Sequence, residues 1–217
     1  YLIRKALSTV PSAITLYSRD RSLCMNLAGD HVHFNPGSVA VNILVDNRSV
    51  RRPTVEDYIA FTKVVEHLEH IDAQSTAMKP AEIPEEIADL YRLFIALQYG
   101  TKPVITGSFS EYGFKFMQEM LTVIRGSREA LREYPLAIFD CCPSPRLRWE
   151  KPRCQDLIDG ARLGIPSELI SMPQPGLTSS ITLYDSLVQH TAETLSGIVI
   201  AQLASPGAPV IYGGSPV

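Results

Sequence analysis

The stretch Gly164–Val217, GIPSELISMPQPGLTSSITLYDSLVQHTAETLSGIVIAQLASPGAPVIYGGSPV, decides the fold. It holds two short apolar runs, Ser167–Met172 and Pro209–Tyr212, each ending in a turn-rich segment, MPQPG and GGSP. Between them Leu, Val and Ile at 183, 187, 188, 195, 198, 199 and 203 recur at helical spacing, with Ala192, Ser196, Gly197 and Ala201 among them. A buried strand, a loop, a closely packed helix and another buried strand make a βαβ unit. Such folds keep their chemistry in the loops after the strands.

Working backwards, the same plan repeats. Pro152–Leu163 reads as a helix ended by Gly164, and Leu136–Cys142 as a strand closing in Pro143-Ser144-Pro145. Glu111–Ile124 and Ser127–Arg132 are helical, and Pro103–Phe109 is a strand. Pro84–Tyr99 is a helix and Ile71–Ala77 a short strand ending in Gln74, Ser75 and Thr76. Thr54 caps a helix with Asp57 three residues on, and His67 and His70 on its last turn complement the helix C-terminus. The first 50 residues differ: a short helix over Leu2–Val10, then a hairpin of Ala13–Tyr17 and Cys24–Leu27. Alternating His31–Phe34, the Asn35-Pro36-Gly37 turn and an extended Val39–Val45 follow. The reading is therefore α/β: residues 1–50 form a helix and β-hairpin region leading into a partial (β/α)8 barrel over 51–217. It shows five clear strands, and about six of eight if the His31–Val45 region supplies one. A doubly wound sheet is the runner-up, disfavoured because no GxGxxG follows the first strand. Tyr1 is not an initiator Met and the chain stops after a strand-like run, so a piece of a longer protein is expected.

Composition narrows the function. The 217 residues carry a net charge of −3 with both signs interspersed, giving neither a basic stripe for nucleic acid nor a polybasic membrane patch. No apolar run reaches the roughly 20 residues that span a bilayer, and no signal peptide is visible, so a cytoplasmic protein is expected. Cys24, Cys141, Cys142 and Cys154 lack CxxC spacing and read as reduced, buried thiols.

A barrel works at the C-terminal ends of its strands. The candidates are His33, Asn35 and Gly37; Gln74, Ser75 and Thr76; Gly107, Ser108, Phe109 and Tyr112; Asp140, Cys142 and Ser144; Met172, Gln174 and Gly176; Gly213, Gly214 and Ser215. Asp140 reads as the only acid in a strand, and no paired carboxylates, His cluster or strand lysine is visible. Glycosidase, Schiff-base and metallohydrolase chemistry thus lack their actors. No catalytic residue and no metal ligand is assigned.

The run SMPQPGLTSSITLYDSLVQHTAETLSGIVIAQLASPGAPVIYGGSP resembles the signature region of the trimethylamine:corrinoid methyltransferase family. HFNPGSVAVNILVD, RRPTVEDY, GTKPVITGSFS and CCPSPRLRW fit the same family in the same order. The resemblance covers the chain from the Ala13–Asp20 strand and turn to Val217. It implies a TIM-barrel enzyme of about twice this length. Such an enzyme moves a methyl group from a methylated amine, trimethylamine or a quaternary amine such as glycine betaine, to Co(I) of a corrinoid (cobalamin) on a small partner protein. Archaeal members carry pyrrolysine in a later strand, beyond Val217. Cys141-Cys142 and Gln174-Pro175 stand where relatives often show a single Cys and an Ala-Gly type pair. A quaternary ammonium is held by aromatic faces, at roughly 0.5–2 kcal/mol per ring, and Phe34, Phe109, Tyr112 and Tyr212 are the aromatic candidates. With Gln174 and Ser215, the last three are expected on the substrate. His33, Asn35, Ser108, Ser144, Met172, Gly213 and Gly214 are expected to face the corrinoid. A barrel that binds methylamine or the corrinoid protein without turnover, and a zinc-dependent methyltransferase using Cys141 or Cys142, are the competing readings. Self-association is left open.

Overall fold

A computed structural model describes residues 1–46, 48–110 and 112–214. It divides into two compact units, one of residues 1–14 and 138–217, the other of residues 15–137. In chain order the elements are α1 (Leu2–Leu7), β1 (Ile14–Tyr17), β2 (Cys24–Leu27), β3 (Ile43–Val45) and β4 (Ser49–Arg51). Then follow α2 (Val55–Glu66), β5 (Gln74–Ser75), α3 (Glu85–Tyr99), β6 (Val104–Gly107), α4 (Gly113–Arg125) and α5 (Arg128–Glu133). The last five are β7 (Ala137–Cys141), α6 (Lys151–Leu163), β8 (Ser167–Ser171), α7 (Leu183–Ala204) and β9 (Val210–Gly214). Strands β5 and β6 in one unit, and β7, β8 and β9 in the other, pair in parallel in chain order and alternate with helices.

In the first unit, β7, β8 and β9 pair in parallel with Asp140 opposite Glu168 and Leu169 opposite Tyr212. Cys141, Leu169 and Val210 pack on Leu157 and Ala161 of α6, Ile198 and Ala201 of α7, and Ala6 of α1. That apolar layer holds the helices on one side of the strands. Gln202 closes the end of α7: its Nε2 donates to Ala208 O at 2.8 Å, and its Oε1 accepts from Gly207 N at 2.8 Å and Thr9 Oγ1 at 3.0 Å.

In the second unit, β5 and β6 are parallel, Gln74 opposite Val104 and Ser75 opposite Ile105. Thr54 and Asp57 form the expected capping box at the start of α2. Lys102 ends the same helix from the side, donating to Val65 O, Leu68 O and Ile71 O at 2.6–2.9 Å. A buried cation among the carbonyls at and beyond its last turn complements the negative end of the helix. Tyr58, fully buried, donates to Ser75 O at 2.8 Å and so ties α2 to β5.

Three expectations are corrected. Among the described residues the His31–Val45 region adds no sixth strand to the parallel set. Of Val39–Val45 only β3 is a strand, and it pairs antiparallel with β4. The neighbouring Ala40 makes a single parallel bridge to Met78. His31–Phe34 forms no strand; Phe34 O instead accepts from Asp72 N, and Phe34 N donates to Asp72 Oδ2, both at 2.9 Å. Pro36 has no N–H, which breaks a ladder in this segment. Of the cysteines, Cys141 is buried but Cys24 is exposed, and Cys142 and Cys154 are half-buried. No helix among the described residues is long and apolar enough to cross a membrane.

The first half of α7 buries a different face from the one its aliphatic residues mark, while Leu195, Ile198 and Val199 of its second half pack on the core as expected. Leu183, Leu187 and Val188 are exposed, while Ser186, His190, Glu193, Thr194 and Gly197 are buried. Ser186, His190 and Glu193 meet the strand ends and loops, which need hydrogen-bond partners more than they need hydrocarbon.

Candidate functional site

Alternation along β7, β8 and β9 sorts the first unit's residues between two faces. Cys141, Leu169 and Val210 are turned to the helices, so Asp140, Glu168, Ile170, Ile211 and Gly213 lie on the opposite, half-open face. Asp140 and Glu168 are in register on adjacent strands, with backbones about 4.8 Å apart. The expectation of a single strand acid is thereby corrected. Glu168 sits within a run read as apolar, whose burial in fact alternates. Burial raises the Glu168 carboxyl above the usual carboxylate range. A Cβ on Gly213 would stand 2.7 Å from Glu168 Oε1, so glycine there leaves room for the carboxylate across β9.

Cys142 follows β7 at the same end. Burial, with Asp140 and Glu168 nearby, pushes its thiol up to about 11, so it is protonated at neutral pH. Burial raises the Cys141 thiol further still. Among the described residues no three His, Cys, Asp or Glu side chains are grouped to hold a metal.

The loops after β7 and β8 are built alike, a relation the sequence reading missed. Cys142-Pro143-Ser144-Pro145-Arg146-Leu147 and Met172-Pro173-Gln174-Pro175-Gly176-Leu177 share the pattern x-Pro-x-Pro-x-Leu, 30 residues apart. That repeat was the available signal. In the first loop Ser144 and Arg148 exchange backbone hydrogen bonds at 2.8 and 3.2 Å, and Ser144 Oγ donates to Glu150 at 3.1 Å. In the second, Gln174 O accepts from the amides of Leu177, Thr178 and Ser179, each at 3.0 Å, and Gln174 N donates to Thr178 Oγ1 at 2.9 Å. Arg146 Nη2 reaches Leu177 O at 3.3 Å, joining the loops, and Met172 lies exposed at the end of β8.

Tyr212 is turned to α7, where its hydroxyl lies 3.2 Å from His190 Nδ1. A Cβ on Gly214 would overlap His190 Nε2, so the ring lies directly on the β9 backbone. Gly214→Ala is therefore expected to displace His190, break its contact with Tyr212 and cost about 1–3 kcal/mol, read as a lower denaturation midpoint. Ser215 lies outside the described residues.

In the second unit, Phe109 and Tyr112 are exposed in the loop after β6. Phe109 lines a cavity of about 430 Å³ with Val39, Val41, Lys79, Asp89 and Arg92. Asp89 Oδ2 accepts from Phe109 N at 2.6 Å and Ser110 N at 2.8 Å, and the Arg92 guanidinium lies 5.6 Å from the Phe109 ring centre. Ser108 Oγ donates to Ser110 O at 3.2 Å. His33 lies 2.9 Å from Asn26 O and 3.3 Å from Asp72, and Asn35 Oδ1 accepts from Gly37 N at 2.8 Å in a local turn. Gln74 points at α2, donating to Thr62 O, and the hydroxyls of Thr76 and Thr106 meet at 3.1 Å, fully buried. The structure brings together the tips of β7, β8 and β9; Gln74 and Thr76 serve packing.

Residues 1–216 match the family model described as trimethylamine methyltransferase (MTTB). The chain belongs to the trimethylamine methyltransferase family. It is 32% identical over 216 residues to the trimethylamine methyltransferase MttB of Desulfitobacterium hafniense, covering 99% of this chain and 44% of the relative. It is 34% identical to MttB of Methanosarcina barkeri, covering 99% of this chain and 45% of the relative. A glycine betaine methyltransferase of D. hafniense is 25% identical, with 98% and 45% covered. The chain thus spans less than half the length of these members of the trimethylamine methyltransferase family.

Proposed function

We propose that this chain is part of a (β/α)8-barrel methyltransferase. It takes a methyl group from a methylated amine and delivers it to a corrinoid held by a partner protein. Within a member of this family, the observation that carries the reading is the in-register pair Asp140 and Glu168 on the face turned away from α6 and α7. Two carboxylates side by side attract a substrate whose nitrogen carries positive charge. Glu168, half-buried, interacts with such a cation more strongly than a fully solvated acid would.

The groups present suit this chemistry. A corrinoid supplies a Co(I) nucleophile as methyl acceptor, so the chain's own residues need not provide one. Cys142 is held as a thiol and therefore does not compete for the methyl group. The carboxylates orient the ammonium, so that the methyl leaves without its bonding pair, which stays on the amine nitrogen. No proton has to move when the donor is quaternary. Gln174 and Ser215 remain the proposed polar contacts in this unit; Tyr212 is turned to α7 and away from the acid pair, and Phe109 and Tyr112 are the aromatic candidates of the other unit. Met172, Ser144 and Gly213 are proposed to face the corrinoid, as are His33, Asn35 and Ser108 of the second unit, whereas Gly214 is covered by the His190 ring.

The test is methylcobalamin formation by the full-length protein given Co(I) cobalamin and trimethylamine or glycine betaine. Methylation dependent on one of these amines supports the reading. Amine binding without methylation points to the non-catalytic barrel. Stoichiometric zinc with loss of activity on chelation points to the metal-dependent reading.

A further inference from the structure

We infer that Glu193 is a positioning residue that sets the two strand-tip loops as one unit, an inference that rests on the methyltransferase reading only for its kinetic consequence. Glu193 lies in the middle of α7 and is 1% exposed. Its Oε1 accepts from Leu147 N, in the loop after β7, at 3.0 Å. Its Oε2 accepts from Ser171 Oγ, at the end of β8, at 2.5 Å. Gln189, one helical turn earlier, donates from Nε2 to Glu193 Oε1 at 2.9 Å and to Thr178 O, in the loop after β8, at 3.2 Å. One buried carboxylate thus holds the first loop directly, the second strand directly and the second loop through Gln189.

The geometry requires an acceptor here. Leu147 has φ of +61° and Arg146 of +69°, so the tip of the first loop is held in the left-handed region by two residues that disfavour it. From that tip Leu147 N points at α7, and Glu193 receives it. The second loop solves the same problem with Gly176, at φ of +78°, and with hydrogen bonds onto Gln174 O. The two loops share a sequence pattern but not a means of support. Glu193 makes up the difference for the strained copy and locks it to its neighbour.

The consequence is coupling. Loss of the carboxylate frees both loops together, while the core of α6, α7 and the strands keeps its own apolar contacts. Glutamine retains an acceptor for Leu147 N and Gln189, and its amide can donate to Ser171 Oγ.

The test uses the full-length protein as wild type, Glu193→Gln, Glu193→Ala and Ser171→Ala. Amide exchange is read over residues 144–149 and 174–180, and KM and kcat are read with trimethylamine and glycine betaine. Glu193→Ala is expected to raise exchange in both segments at once. It is also expected to raise amine KM by roughly tenfold with kcat within about threefold, while Glu193→Gln stays near wild type on both readouts. Ser171→Ala, which removes one donor only, gives a smaller effect of the same pattern and serves if Glu193→Ala does not fold. The inference is overturned if only one segment loosens, if Gln behaves as Ala, or if both loops loosen with KM unchanged. Should the wild type transfer no methyl group from either amine, the proposed function fails while the exchange pattern still decides the clamp.

Discussion

Glu168→Gln in the full-length protein is expected to lower kcat/KM for a cationic methylated amine by roughly 10–100-fold, the value of about 1.5–3 kcal/mol for a contact with a charged group. The loss should fall mainly on KM, because the carboxylate holds the ammonium before as well as during transfer. Stability should move the other way. Burial already disfavours the ionised form of Glu168, so a neutral isostere removes that penalty at neutral pH and leaves the fold as stable or more so. Loss of activity without loss of stability therefore separates a binding role from a structural one. The pH dependence adds a second check. Since the folded-state carboxyl is raised, amine binding weakens as pH falls through a value higher than an ordinary glutamate's, and the step disappears in Glu168→Gln. Combining Glu168→Gln with Asp140→Asn should give less than the product of the single losses, because in-register neighbours act on one cation. A Glu168→Gln enzyme with unchanged KM would remove the acid pair from the site.

Arg92→Ala is expected to have the largest effect on stability, about 3–5 kcal/mol, because it leaves a buried carboxylate without its cation. The Arg92 and Asp89 side chains are 2% and 5% exposed, with Nη1 and Oδ1 3.5 Å apart. Arg92 Nε donates to Met78 O at 3.1 Å and Nη2 to Ser38 Oγ at 3.2 Å and to Thr76 O. The segment after β5 is thus stitched to α3 by one guanidinium. Asp89 passes the constraint on, since its Oδ2 holds the amides of Phe109 and Ser110. The denaturation midpoint should fall steeply in Arg92→Ala. Arg92→Ala with Asp89→Ala should be less destabilised than the sum of the singles, because no lone charge is then buried. Arg92→Lys recovers little, since an ammonium cannot match the planar fork.

Much of the architecture was legible because its signals are local. The Thr54–Asp57 cap, Gly100, Gly126 and Gly164 at helix ends, and the spacing of β6, β7, β8 and β9 need only propensity and periodicity, which neighbouring residues set. The His31–Val45 region misled for the same reason. Its alternation is a real local preference, but strand pairing needs a partner in register, and tertiary contacts left β3 with β4 and one bridge at Ala40.

The sequence by itself determined the family, the repeat of strand and helix, and the turn-rich loops after β7 and β8, all of which are written in order along the chain. Only the tertiary structure decided which side chains meet. It placed Asp140 opposite Glu168, turned Tyr212 to α7 and Gly213 to the open face, and buried the polar side of α7 so that Glu193 holds two loops. Register and helix rotation are set by long-range packing and by the need to satisfy buried backbone groups, and neither leaves a periodic mark in the sequence.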